Sequence, residues 1–208
     1  MKIHKLLLSL VLIVAVIIRF YDINTTPALN PDEAALGYNA YSLILTGKDE
    51  HGVSWPLHFK SFGDYKPGGY VYLAIPFIKV LGLTPFAVRL PNLILSILTI
   101  LFLYKLVLLL TKNYLLSSLT AFVLAVNPWH FLYSRSAFEV TLLISLILAA
   151  TYYFNLFIEN SKNKYLYISI YKNSYLVKIY IILFQIQIGK QRGRYKIAES
   201  KLQNATKN

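Results

Sequence analysis

Asp32 and Glu33, in the run Asn30-Pro31-Asp32-Glu33, are the residues best suited to chemistry in this chain. They lie just beyond the first hydrophobic block and ahead of a long polar loop. That places two carboxylates at the rim of a membrane, where chemistry on a lipid-delivered substrate would be done. A packing account of the same residues is also available. Asn30 can cap a helix, Pro31 suits its first position, and Glu33 at the third completes a capping box. The helix dipole favours acids there as well. Neighbours on a helix point roughly 100° apart. The pair is therefore unsuited to flanking one bond as the carboxylates of a retaining glycosidase do. Asp32 acting alone as a base fits better, with Glu33 as cap or orienting group. A positioned base contributes on the order of 10²–10⁴ in rate.

Lys66, Arg89 and Arg135 form the complementary cationic set. Singly, each reads as a snorkelling interfacial residue. Three beside one loop suggest an anion site, where arginine can grip a phosphate in bidentate fashion and stabilise charge on a leaving oxygen. Glu139 follows Arg135 by four residues and could pair with it along a helix or support the site. Lys48-Asp49-Glu50-His51, with His58 and Asp64, is a weaker candidate for a divalent metal, since consecutive acids beside Gly52 also describe a solvated loop. No metal is assigned, and no cofactor is expected. Trp55, Phe59, Phe62, Tyr65, Tyr70 and Tyr72 are expected to form an interfacial aromatic belt. Asn24-Thr25-Thr26 matches a glycosylation sequon.

The elements that must position these residues are apolar. Of 208 residues, 56% are hydrophobic, mean hydropathy is +0.51, and cysteine is absent. A soluble domain, a disulfide framework and thiolate chemistry are thereby set aside. The net charge of +12 punctuates the apolar blocks and forms no exposed stripe, so nucleic acid is not an expected partner. A hydrocarbon core about 30 Å thick needs about 20 helical residues. Residues 90–110, 114–133 and 137–158 meet that length. Residues 6–18 are expected to form an uncleaved first helix, with Arg19-Phe20-Tyr21 as its interfacial anchor. Residues 68–82 are too short and contain Pro76, so they read as a juxtamembrane helix, as do residues 31–46.

Orientation follows from the basic residues. With Lys2 and Lys5 inside, the loop of residues 22–89 lies outside. Lys105, Lys112, Lys162 and Lys164 then fall inside. After about residue 159 prolines cease and Lys and Arg become dense. Residues 165–188 read as a weak fifth span and residues 189–208 as a basic tail. The abrupt change also suggests that residues 165–208 are non-native sequence from truncation or frameshift, leaving residues 1–164 as the catalytic module.

Four blocks carry a family resemblance: PDEAALGYNAYSLILTGKDEHG, FGDYKPGGYVYL, VRLPNLI and NPWHFLYSRSAFE. Over residues 15–165 the chain resembles membrane glycosyltransferases of the protein O-mannosyltransferase and aminoarabinose-transferase type, glycosyltransferase family 39 with the GT-C fold. The resemblance implies an all-α polytopic membrane protein with four to five spans and an outer loop carrying juxtamembrane helices. It implies inverting transfer of a sugar from a polyprenyl-phosphate carrier to a protein, lipid or glycan acceptor, at the non-cytoplasmic face of the plasma membrane. Asp32 would be the catalytic base and Glu33 its motif partner. Arg89, Lys66 and Arg135 would hold the carrier phosphate, and Glu139 would support them. Lys66-Pro67 matches a KPP or HPP block whose second proline is replaced here by Gly68, and relatives carry further spans.

Two other classes compete. A transporter component or scaffold would place functional polar residues near the bilayer midplane, whereas Asp32, Lys66, Arg89 and Arg135 gather at one face. An inactive fragment would keep the motifs without transfer activity.

Overall fold

The computed structural model describes residues 2–61 and 64–160. The expected fifth span, the tail and Phe62 lie outside the described residues. Helix α1 is Lys2–Phe20, α2 is Pro31–Thr46, and strands β1 (His58–Ser61) and β2 (Asp64–Pro67) pair antiparallel. Helix α3 is Gly69–Leu81, α4 is Pro85–Thr111, α5 is Tyr114–Val126, α6 is Pro128–Ser134 and α7 is Glu139–Asn160.

Length and apolarity qualify α4 and α7 as membrane spans, and α5 with α6 as a third, bent by 59° at Asn127. The straight helix expected over residues 114–133 is thus corrected to two helices that meet at Asn127. The cause is local: Asn127 caps α6 by accepting from His130 N at 3.1 Å, and Pro128 opens that helix. Both residues suit a helix start and neither continues one from before. At 13 residues α3 is too short to cross, as its sequence suggests.

The contacts between spans fix their directions. Near its start, α4 meets the start of α7 through Asn92 Nδ2, which donates to Ser136 O (2.6 Å) and Phe138 O (2.9 Å). Near the other end, Lys112 bonds Glu159. These two helices therefore run parallel. Between those points Thr99 and Ser145 hydroxyls meet at 2.5 Å, and Ser145 also donates to Leu95 O at 3.0 Å. Small polar residues allow close approach in an apolar medium and satisfy each other there. α1 lies parallel to α5: residues 7–14 share a groove with residues 115–122, and Arg19 near the end of α1 reaches Ala125 O near the end of α5 at 3.0 Å. Its outward Leu6, Leu10, Ile13 and Ile17 are exposed and suit lipid contact. The arrangement of α1, α4, α5 and α7 agrees with the alternating directions expected from sequence.

A second cluster lies at the end of the bundle where α1 finishes and α4 begins. There α2, α3 and the hairpin pack around Leu43, Phe59, Tyr70, Val71 and Ile78. The belt expectation is corrected at two positions. Phe59 is 2% exposed and Tyr70 fully buried, its hydroxyl donating to Val88 O at 2.8 Å. Burial pushes that phenol well above its ordinary pKa. Trp55 and Tyr65 remain exposed, and Trp55 stacks on Tyr72 at 6.2 Å.

Gly68 joins the hairpin to α3 where a side chain has no room. A Cβ there would lie 2.8 Å from Phe59 Cε2 and 2.9 Å from the Leu57 carbonyl oxygen, and Gly68 N donates to that same oxygen at 3.0 Å. Glycine at this position is required by the hairpin folding back onto it. Gly68→Ala is expected to destabilise the protein by about 1–3 kcal/mol, as overpacking does. Thermal denaturation of the detergent-solubilised protein checks this.

Candidate active site

The start of α2 sets the geometry. Asn30 Oδ1 accepts from Glu33 N at 2.8 Å, and Glu33 Oε2 accepts from Asn30 N at 3.4 Å and Asn30 Nδ2 at 3.3 Å. Pro31 takes the first helical position. The capping box read from sequence is therefore present. It leaves Asp32 and Glu33 facing different surroundings.

Glu33 is wholly buried. Arg89 donates to it twice, Nε to Oε1 and Nη2 to Oε2, both at 2.9 Å. Ala137 N adds a bond to Oε1 at 2.8 Å. One carboxylate thus ties α2, α4 and the segment before α7. The remaining Arg89 donors are also engaged, Nη1 with Ile23 O at 2.6 Å and Nη2 with Pro27 O at 2.9 Å. Arg89 is fully buried as well. In this structure the guanidinium is a brace between Glu33 and the loop of residues 21–30.

Arg135 is placed similarly. It donates to Ile18 O (3.2 Å), Tyr21 O (2.6 Å) and Thr26 O (2.6 Å), and it is 7% exposed. It holds the exit of α1. It does not bond Glu139: α6 ends at Ser134 and α7 begins at Glu139, so no helix spans the pair, and the guanidinium turns to the loop carbonyls. The same loop is stiffened by Asp22, which accepts from the hydroxyls of Thr25 (2.5 Å) and Thr26 (2.8 Å). Those two bonds hold the Asp22 carboxyl below its ordinary pKa. Thr25 and Thr26 of the sequon are thus committed to a loop turn.

Asp32 is the open member. Its side chain is 50% exposed, and Lys66 Nζ donates to Oδ1 at 2.5 Å, with the lysine side chain 20% exposed. Lys66 comes from β2, opposite Phe59 in register. Phe59 anchors that face in the core, so the lysine beside it is aimed toward α2. Glu139 opens α7 nearby, and the charges of Lys66 and Asp32 both act on it. Its Oε1 is buried without a hydrogen-bond partner among the described residues. Asp32, Lys66 and Glu139 are therefore brought together, while Arg89 and Arg135 form the frame beneath them. An apolar cavity of about 270 Å³ flanks Glu33 on the other side, between α2 and the start of α4, lined by Leu29, Gly37, Leu83 and Val88.

The candidate metal set is used differently. Asp49 Oδ1 accepts from His51 N (3.0 Å) and Val53 N (2.8 Å), closing a turn, and it is 5% exposed. Glu50 is clamped to Asn39 of α2 through Glu50 N→Oδ1 and Asn39 Nδ2→Oε1, both at 3.0 Å. Among the described residues no group of three His or acidic side chains is placed to hold a metal. Asn39, 3% exposed, is a residue that sequence reasoning missed. Its polar type within an otherwise apolar helix face was the available signal.

Residues 66–188 match the family described as dolichyl-phosphate-mannose-protein mannosyltransferase. The matched stretch is more than half of the 208 residues. The chain belongs to that family. It is an integral membrane glycosyltransferase of mannosyltransferase type, and its helical bundle is a GT-C-like module. No curated protein and no solved structure matches the chain. The mannosyltransferase match includes Lys66, Arg89, Arg135 and Glu139 and runs past the described residues. Asp32 and Glu33 precede it. They are joined to it physically, by the Lys66–Asp32 bond and the Arg89–Glu33 pair.

Removing one partner of a buried ion pair strands the other charge, which costs about 3–5 kcal/mol. Arg89→Ala and Glu33→Ala are each expected to lose stability on that scale. The double variant should lose less than the sum of the two, which thermal denaturation of the three proteins checks.

Proposed function

We propose that this chain transfers a sugar from a polyprenyl-phosphate carrier to an acceptor hydroxyl or amine by single, inverting displacement. The observation that carries the reading is the Asp32–Lys66 pair. An exposed carboxylate held against one lysine stands beside a carboxylate that is wholly buried. In this reading Asp32 takes the proton of the acceptor as its oxygen or nitrogen attacks the anomeric carbon. The bond from that carbon to the carrier phosphate breaks, and its electrons leave with the phosphate oxygen. Lys66 stabilises the charge that develops there, a role for which a preorganised cation is suited. Because Lys66 already bonds Asp32, it couples the base to the leaving group through one ammonium.

Arg89 and Arg135 contribute by holding the frame, and Glu139 adds negative charge beside the Asp32–Lys66 pair. The reacting groups stand at the end of the bundle where α1 finishes. By the distribution of basic residues this is the non-cytoplasmic face, here assigned to the plasma membrane. A protein acceptor is the class that the family description supports best.

Asp32→Asn and Asp32→Ala are each expected to lower sugar transfer from a polyprenyl-phosphate donor by about 10²–10⁴, with stability unchanged because Asp32 is half-exposed. Lys66→Met should lower turnover as well and weaken donor binding. Transfer at the wild-type rate in both Asp32 variants would remove the base assignment.

A further inference from the structure

We propose that Arg19 is a positioning residue that fixes the angle between α5 and α6 and thereby the segment that closes on Glu33. Arg19 lies in the last turn of α1 and is 0% exposed, so the interfacial anchor expected from sequence is not what it forms. Its guanidinium reaches both arms of the broken span. Nη1 donates to Ala125 O of α5 at 3.0 Å, and Nη2 lies 2.8 Å from His130 Nδ1 of α6. Nη1 also bonds Ala15 O at 3.2 Å.

Each contact has a physical reason. Ala125 is in the last turn of α5, where carbonyls lack intrahelical donors. A cation there also meets the negative end of the helix dipole. A guanidinium has no acceptor atom, so His130 Nδ1 must accept, which puts the ring proton on Nε2. No carboxylate contacts Arg19 among the described residues. The buried charge is therefore balanced by backbone carbonyls and one imidazole that meet only at this bend angle. Asn127 and Pro128 by themselves interrupt the helix without specifying how far it turns.

The angle bears on the site because α6 leads directly into it. Past α6 come Arg135, which grips Ile18, Tyr21 and Thr26 carbonyls, and Ala137, whose N–H donates to Glu33. α6 is thus tied to α1 at both ends, by Arg19 at His130 and by Arg135. The consequence for transfer rests on the proposed role of Asp32 beside Glu33. The bend itself does not, and the test reads only the bend.

The chain has no cysteine, so cysteine pairs carry spin labels without background. Leu119 of α5, Leu132 of α6 and Tyr38 of α2 are each about half exposed. Pulsed electron–electron distances are measured in the full chain in lipid nanodiscs for the pairs 119/132 and 38/132. Each pair should give one narrow distance in the parent protein. Arg19→Ala and His130→Phe should lose it in both pairs, whereas His130→Gln, whose amide oxygen accepts from Arg19, should keep it. Unchanged distances in Arg19→Ala or His130→Phe would overturn the proposal, as would identical behaviour of the Gln and Phe variants. Loss confined to the 119/132 pair would overturn the link to the site. If Arg19→Ala does not fold, the two His130 variants decide.

Discussion

The Glu33 carboxylate is the point at which the outer half of this protein is joined. Five donors converge on its two oxygens: Nε and Nη2 of Arg89, Ala137 N, and the N and Nδ2 of Asn30. Burying a carboxylate without such partners would be prohibitive, and burying a guanidinium likewise. Each group makes the other tenable, and neither can move alone. Through them α2, α4, the loop of residues 21–30 and the approach to α7 share one geometry. Buried pairs of this kind add little net stability over well-packed apolar residues. What this pair supplies is register: it fixes the rotation of α2 about its own axis.

That rotation decides where Asp32 points. Successive helical residues diverge by about 100°, so a Glu33 turned fully inward leaves its neighbour at the open edge. The capping interpretation of Asn30-Pro31-Asp32-Glu33 and the functional one are therefore parts of the same arrangement. Glu33 caps and braces, and by doing so it presents Asp32 to Lys66. The lysine is delivered with similar economy. Its strand partner Phe59 is buried in the core, and the hairpin holding both is locked by the close approach of Gly68 to Leu57 and Phe59.

Much of this was legible in the residues. The start of α2 followed from its cap, the short length of α3 excluded a crossing, and the relative directions of the spans followed from the basic residues. Other features were hidden for physical reasons. Strands of four residues carry too little alternation to stand out from a loop. The bend at Asn127 was visible as an Asn-Pro pair, but apolar content either side of it read through as one span. Phe59 and Tyr70 looked like belt residues because aromatic type does not distinguish an interface from a small core. The arginines were hardest. A guanidinium bound to phosphate and one bound to main-chain carbonyls are the same residue in a sequence, and carbonyl oxygens leave no trace in residue type.

That the braces are arginines follows from what they hold. Residues 21–30 form no regular structure among helices, so their carbonyl oxygens have no ladder to accept from. Ile23 and Pro27 give theirs to Arg89, and Ile18, Tyr21 and Thr26 give theirs to Arg135. A lysine ammonium presents a compact, strongly hydrated charge, whereas a planar guanidinium offers five donors in fixed directions and sheds water more readily. Only the latter can collect oxygens from separate turns of one loop while remaining buried. The site's rigidity therefore arises below it, in arginines turned away from solvent. Beside Asp32, among the described residues, stands the lysine, whose flexible stem and single charged tip suit contact with a group that arrives and departs.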